Sequence, residues 1–178
     1  MAKKVADQLV DTLEKAGVRR IYAVTGDSLN EVNEAVRKNG RLRWIHVRHE
    51  ETGAYAAAAE AQLTGELACC AGSSGPGHVH LINGLYDAQR SGARVLAIAS
   101  TIPSREFGTE YFQETNTIKL FDDCSYYNQV ATTPEQFPRM LQGAMQAAIS
   151  SCGVGVIGLP GDLSLIHISE PTRLLSIS

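Results

Sequence analysis

Glu50 opens an alanine-rich stretch, Glu50-Glu51-Thr52-Gly53-Ala54-Tyr55-Ala56-Ala57-Ala58-Ala59-Glu60-Ala61, directly after Trp44-Ile45-His46-Val47-Arg48-His49. A carboxyl at the start of a helix and beside an apolar face is suited to holding or relaying a proton. A free glutamate titrates near ~4.3. Burial against the alanines would raise that value, while the helix start and Arg48 would lower it, and the sequence leaves the balance open. Taken alone, a glutamate in a first helical turn is ordinary, because the helix dipole favours it there.

A second cluster, Gly72-Ser73-Ser74-Gly75-Pro76-Gly77, follows an apolar run and precedes a helical one. It has the place of a phosphate-cradling loop but lacks the lysine of a Walker motif and the glycine spacing of a dinucleotide site. It also fails as a serine-hydrolase elbow, since Pro76 stands where the second glycine of that motif belongs. His78 and His80, two apart at a helix start, face different sides and make a poor metal pair, so no metal site is predicted. Without further context the glycines make a tight turn.

The elements that must position these residues follow from periodicity. Short, largely apolar runs at 20–24, 43–47, 67–71, 94–99, 125–130 and 154–159 read as strands covered on both faces. Helical patterns fall between them at about 4–16, 28–38, 50–63, 77–90 and 134–150, with Gly17, Gly40, Gly65 and Gly92 just past four of the ends. Strands alternating with helices predict a three-layer α/β/α fold with a six-stranded, mainly parallel sheet. In such a sheet ligands bind beyond the carboxyl ends of the strands. Thr25-Gly26-Asp27, His49-Glu50, the glycine loop and Ser100-Thr101-Ile102-Pro103 would therefore meet at one edge, although they are scattered along the chain.

Together, the run from Trp44 to Ala61 and the run Leu67-Ala68-Cys69-Cys70-Ala71-Gly72-Ser73-Ser74-Gly75-Pro76-Gly77 resemble the pyrimidine-binding (PYR) domain of thiamine-diphosphate-dependent enzymes. Those domains open a helix with a catalytic glutamate and follow the next strand with a Gly-Pro-Gly loop. The resemblance covers residues 4–164. Within the superfamily, Thr25-Gly26-Asp27-Ser28-Leu29-Asn30 and the stretch from Ile102 to Glu114 are most similar to pyruvate oxidases and quinone-reducing pyruvate dehydrogenases. Acetolactate synthases are the alternative relatives, and a non-catalytic binding module of the same fold is the alternative function.

The resemblance implies that Glu50 hydrogen-bonds the pyrimidine N1′ of thiamine diphosphate and acts as the acid–base relay that activates the cofactor. It implies that Thr25 and Gly26 line the cofactor from the first loop, and that Ser73 and Pro76 press their loop on the aminopyrimidine. His80 occupies a place where many relatives have an asparagine near the cofactor. Phe112 would shape the substrate pocket and Gln113 would lie near the aminopyrimidine. The substrate implied is pyruvate or a related 2-keto acid, with a quinone as possible electron acceptor and a homo-oligomer as the working form. The small side chains of 54–61 would permit close helix approach, and relatives dimerise about this region.

In the resembled enzymes the diphosphate and a magnesium ion are held by a separate domain, contributed by a partner subunit and carrying Gly-Asp-Gly and a later asparagine; a middle domain binds FAD. Neither is found in these 178 residues, so the chain reads as the PYR domain, 1–164, of a truncated enzyme. Residues 165–178, Leu165-Ile166-His167-Ile168-Ser169-Glu170-Pro171-Thr172-Arg173-Leu174-Leu175-Ser176-Ile177-Ser178, read as an appended, non-native tail expected to be disordered or loosely packed.

Composition agrees with a single cored domain. The chain is 44% hydrophobic, and its net charge of -3, without long runs of one sign, argues against nucleic acid as a partner. Four cysteines without paired metal or redox spacing read as reduced core residues. The start lacks a secretory core and no later run could span a bilayer, which points to the cytoplasm, with the full-length enzyme at most peripheral on the inner face of the membrane.

Overall fold

The computed structural model describes residues 3–168. In chain order the elements are β1 (Lys3–Lys4), α1 (Val5–Lys15), β2 (Arg20–Ala23), α2 (Asn30–Asn39), β3 (Arg43–His46), α3 (Glu50–Thr64), β4 (Ala68–Gly72), α4 (Pro76–Val79), α5 (Ile82–Ser91), β5 (Val95–Thr101), α6 (Thr117–Phe121), β6 (Tyr127–Val130), α7 (Phe137–Ser150), β7 (Val154–Pro160) and β8 (His167–Ile168). Six strands form one parallel sheet in the order β3-β2-β4-β5-β7-β6. The expected three-layer α/β/α architecture is the observed one.

Strand alternation divides the core between the two faces. Cys69, Ala71, Leu96, Ile98, Ile157 and Leu159 point to the layer of α1, α2 and α7, where Leu9, Leu13, Val36, Leu141 and Met145 are fully or almost fully buried. Cys70, Ala97, Ala99 and Val156 point to the other layer, where α3 and α5 supply Ala54, Ala57, Ala58, Leu85 and Ala88. In α1 the apolar residues Val5, Leu9, Val10 and Leu13 recur at helical spacing and make one stripe. Helices α3 and α5 both stop at a left-handed glycine, Gly65 at φ 72° and Gly92 at φ 71°, whose amides bond to Ala61 and Ala88.

The order of the strands sets the ligand edge. From β2 the chain crosses through α2 on one face to β3; from β4 it crosses through α5 on the other face to β5. Strands β2 and β4 are neighbours, so the loops after them open in opposite directions and leave a crevice at their carboxyl ends. Helix α3 begins at the same edge.

Four expectations need correction. The helix expected at 77–90 is two helices, because the turn at His80–Leu81 tightens: the Leu81 amide reaches back only three residues, to the His78 carbonyl at 3.2 Å. The helix expected from residue 28 begins with a 3₁₀ turn at Asp27–Leu29, and α7 starts at Phe137 rather than at 134. Cys152 is exposed, unlike Cys69, Cys70 and Cys124, which are buried free thiols. Burial pushes the Cys70 thiol up to about 12 and that of Cys124 up to about 11, so both stay protonated.

At the chain end β8 pairs antiparallel with β1, the Val5 amide donates to the Ile166 carbonyl at 3.0 Å and Ile168 joins the core at 3% exposure, while Leu165, Ile166 and His167 stay exposed. The remainder of the tail, 169–178, lies outside the described residues. Also unforeseen is α6, capped by Asn116, whose side-chain oxygen accepts the Lys119 amide at 3.0 Å. Asn116→Ala should cost about 1 kcal/mol. That corresponds to a fall in Tm of roughly 2–4 °C for a chain of this size, measurable by thermal denaturation.

Candidate functional site

The site is built around the first residue of α3. Strand β3 ends at His46, the chain bends through Val47-Arg48-His49, and His49 takes the N-cap position, its Nδ1 accepting the Glu51 amide at 3.3 Å. Glu50 is turned inward, only 7% exposed. Burying a carboxylate is unfavourable unless it is met by donors or positive potential. Here the α3 N-terminus supplies the potential. His80, at the break between α4 and α5, supplies a donor, with Nδ1 3.0 Å from Glu50 Oε2. The His80 ring is stacked on that of His49, centroids 4.3 Å apart and planes inclined by 23°.

The other carboxylate oxygen, Oε1, takes no hydrogen bond from the described residues. Above it runs the glycine loop. A Cβ on Gly77 would lie 3.3 Å from Oε1, so the missing side chain is what lets the loop pass close over the carboxylate and leaves that oxygen uncovered. Gly26 serves the loop after β2 in the same way: a Cβ there would sit 2.6 Å from Ser73 Oγ. Glycines at 26 and 77 thus bring the loops after β2 and β4 against the start of α3.

Loop 73–77 is held from two further directions. The Ser74 amide donates to Ser28 Oγ at 2.9 Å, and Ser74 Oγ donates to Gln113 Oε1 at 2.9 Å. Gln113 itself adopts φ 69°, a left-handed conformation that costs a non-glycine residue about 1–2 kcal/mol, and it stands against Gly75, where a Cβ would lie 2.7 Å from its own. Neighbouring Phe112 is 79% exposed. With Gln113, Ser74, Ser28, Pro103 and Tyr111 it lines a cavity of about 610 Å³. A second cavity, of about 620 Å³, lies between Thr101, Phe107, Tyr111, Glu114 and Val130. Glu50 lines neither.

Of the residues singled out in the sequence, Gly26, Glu50, Ser73, His80 and Gln113 are therefore joined into one assembly through the glycine loop. Pro76 opens α4, exposed, on top of that loop, and Thr25 is exposed just beyond the end of β2. Phe112 belongs to the neighbouring cavity. Four alanines of α3, Ala54, Ala57, Ala58 and Ala61, are buried, and a Cβ on Gly84 of α5 would lie 2.5 Å from that of Ala54, which brings α3 against α5; Tyr55 and Ala59 of the same run are exposed.

Two histidines carry more than their spacing indicates. His78 is fully buried, with Nδ1 2.7 Å from the Ser100 carbonyl and Nε2 2.6 Å from Thr115 Oγ1. Nδ1–H must donate to the carbonyl, so Nε2 accepts from the threonine hydroxyl, and burial pushes the imidazole below its ordinary value and keeps it neutral. That clamp ties α4 to the end of β5 and to the loop before α6. Sequence reasoning passes over His49, which caps α3 and stacks on His80; the available signal is a histidine at the very position that caps the helix. His78 and His80 do diverge, whereas His49, Glu50 and His80 bring ligand atoms within 4.8 Å of one another.

The family "Thiamine pyrophosphate enzyme, N-terminal TPP binding domain" matches residues 3–120. An uncharacterized 42.6 kDa protein of Pseudomonas amyloderamosa is 56% identical over 91% of this chain and 41% of its own length. A putative thiamine pyrophosphate-containing protein of Bacillus subtilis is 45% identical over 92% of the chain and 29% of its own length. The pyruvate oxidase of Lactiplantibacillus plantarum is 38% identical over 87% of the chain and 26% of its own length. The chain thus spans less than half the length of these relatives.

Proposed function

We propose a role that proceeds from one premise: the chain belongs to the thiamine pyrophosphate enzyme family, as its N-terminal TPP binding domain. In this reading it holds the pyrimidine half of thiamine diphosphate in an enzyme that oxidatively decarboxylates pyruvate or a related 2-keto acid. Similarity to a pyruvate oxidase supports the substrate class. The observation that carries the reading is the Glu50 carboxylate, buried, held at Oε2 by His80 and left without a partner at Oε1 beneath Gly77.

The residues fit the pyrimidine half of the cofactor. Thiamine diphosphate, when bound, supplies the electron sink that decarboxylation of a 2-keto acid requires. Glu50 would hold and move a proton at Oε1, toward the pyrimidine N1′, while His80 fixes the direction of the carboxylate through Oε2. Gly77 keeps the approach to Oε1 open. Ser73 and Pro76 would bring the glycine loop down on the ring, with Gly26 giving Ser73 room and Thr25 closing the side of the first loop. Gln113 would brace the loop through Ser74, and Phe112 would border the substrate. The diphosphate and magnesium would be held by a diphosphate-binding domain of a partner subunit in a homo-oligomer, and FAD by a further domain passing electrons to a quinone or another acceptor.

Among the described residues no helix is long and apolar enough to cross a membrane, which is compatible with the cytoplasmic setting proposed.

The diphosphate carries most of the cofactor's charge, and charge-assisted hydrogen bonds are the strong ones. The isolated 178-residue chain should therefore bind thiamine diphosphate weakly, with a Kd above about 0.1 mM, roughly 5.5 kcal/mol of binding or less. Calorimetric titration measures this directly. Micromolar binding by the chain alone would contradict the division of the site. The substrate class is tested in a protein of the relatives' length carrying this segment: pyruvate-dependent dye reduction is expected, and acetolactate formation without dye reduction would refute the oxidase reading.

A further inference from the structure

We propose that Thr115 and His78 are positioning residues: the hydrogen bond between them seats the segment 104–116, and through it the wall of the substrate pocket, while leaving the assembly around Glu50 in place. What the segment does for a substrate rests on the function proposed above; how it is seated does not.

Segment 104–116 has little regular structure to keep its shape. After one 3₁₀ turn at Ser104–Glu106 it has no helix or strand before α6, and residues 107–113 are exposed without a break. Two of its non-glycine residues, Glu110 at φ 57° and Gln113 at φ 69°, are left-handed, and such conformations persist only where the surroundings over-determine them. Part of that constraint is internal: the Glu114 carboxylate accepts the amides of Gly108 at 2.6 Å and Tyr111 at 3.2 Å, which closes 108–114 into a small loop. A closed loop must still be fastened to the body of the domain.

Among the described residues three side-chain ties do so. Asp162 accepts the Ser104 amide at 2.9 Å and its hydroxyl at 2.7 Å, holding the entry. Ser74 Oγ donates to the exposed Gln113 at 2.9 Å. Thr115 Oγ1 lies 2.6 Å from Nε2 of His78, the one partner that is fully buried. Because Nδ1–H is committed to the Ser100 carbonyl, Nε2 can only accept, and the Thr115 hydroxyl must point at it. Without that hydroxyl a buried nitrogen loses its donor, and lifting the segment to admit water is the ready relief.

The segment stands between two cavities. Tyr111 lines both; Phe112 and Gln113 line the one of about 610 Å³, Phe107 and Glu114 the one of about 620 Å³. Lifting the segment changes both spaces and moves Phe112, the residue proposed to border the substrate. Glu50 is bypassed. His78 leaves α4 toward Ser100, Thr115 and the ring of Phe121, 6.0 Å away between centroids, whereas His80 turns to Glu50. The glycine loop keeps the bond from the Ser74 amide to Ser28 even where that to Gln113 is lost.

The first test uses the 178-residue chain. Chymotrypsin can cut the segment at Phe107, Tyr111 and Phe112, and Tyr126, 57% exposed just before β6, is a reference site in the same molecule. Thr115→Val, similar in shape but without a donor, should be cut in the segment about tenfold faster than the parent, the effect of one hydrogen bond on a local opening, with cutting at Tyr126 unchanged. Thr115→Ser restores the hydroxyl and should stay within about twofold of the parent. Asn39→Ala removes the acceptor of the Arg41 and Leu42 amides, far from the segment, and should lower Tm without faster cutting there. Thr115→Ala is a second donor-less variant should Thr115→Val fail to fold. In a protein of the relatives' length carrying thiamine diphosphate, Thr115→Val should raise KM for pyruvate roughly five- to tenfold and leave kcat and C2 exchange within about twofold, the mark of lost substrate binding. A parent that turns over no pyruvate would refute the substrate reading and not the seating, which the cutting rates decide. Parent-like cutting of Thr115→Val, faster cutting of Thr115→Ser or Asn39→Ala, or an unchanged KM beside normal pyruvate turnover would each overturn the proposal.

Discussion

Glu50→Gln, in a protein of the relatives' length loaded with thiamine diphosphate, is expected to slow hydrogen–deuterium exchange at the thiazolium C2 by about 10²–10⁴-fold, the usual contribution of a positioned acid–base group. The substitution is nearly isosteric. The carbonyl of the introduced amide can accept from His80 as Oε2 does now, and the glycine loop still passes over the other terminal atom. What is lost is a group that exchanges a proton at Oε1, since an amide does not do so at neutral pH. Stability should not fall, because removing a buried charge relieves a desolvation cost that offsets the lost charge-assisted hydrogen bond. Quench-flow exchange read by proton NMR gives the rate, and thermal denaturation gives the control. An exchange rate within twofold of the parent, in a variant that melts normally, would remove Glu50 from the role of proton carrier and leave it as a buried helix-start residue.

How much of this is legible in the sequence depends on the range over which each signal acts. All six strands of the main sheet lie within two residues of their expected positions; the central β4, β5 and β7, buried along their whole length, read as continuous apolar runs, while the edge strands β3 and β6 are only partly buried. The convergence of Glu50, the glycine loop and Gly26 follows from topology, since parallel strands send every βα loop to one edge. The break at His80–Leu81 is not legible, because its cause is tertiary. His78 is tied at both ring nitrogens to Ser100 and Thr115, which lie 22 and 37 residues away in sequence. The pairing of β1 with β8 escapes for a different reason: strands of two residues have no periodicity to detect. The stack of His49 on His80 combines both limits, joining two loops through side chains whose spacing along the chain carries no pattern. The small residues of α3 do mark close approach, that of α5 within the chain, and the matching signal is Gly84.

Gly72→Ala should be the most damaging single methyl group that can be added near the site. Gly72 is the last residue of β4, paired with Ala99 of β5, and its backbone needs no left-handed conformation, so strain in φ is not the issue. The space is. A Cβ there would lie 2.5 Å from the Gly77 carbonyl oxygen, 2.7 Å from its carbon and 2.6 Å from the His78 Cα, all backbone atoms that cannot rotate away. The segment they belong to is pinned, with the His78 amide bonded to the Ser73 carbonyl at 2.8 Å and the His78 ring fixed at both nitrogens. Relief must come from moving the strand end or lifting the loop. Overpacking of this kind costs typically 1–3 kcal/mol, and rigid backbone on every side places Gly72→Ala at about 3. The corresponding fall in Tm is roughly 6–12 °C. Gly161→Ala provides the contrast: its Cβ would meet Ser28 only at 3.4 Å, ordinary contact, and the change should stay within about 0.5 kcal/mol of the parent. Lifting the loop also withdraws Gly77 from above Glu50 Oε1, so the stability loss and the loss of C2 exchange should appear together in Gly72→Ala, whereas Glu50→Gln should lose exchange alone. Thermal melts of both glycine variants, read beside the exchange rate, separate the two effects; a Gly72→Ala protein that melts within 2 °C of the parent would mean that the loop is not seated on the strand end as described.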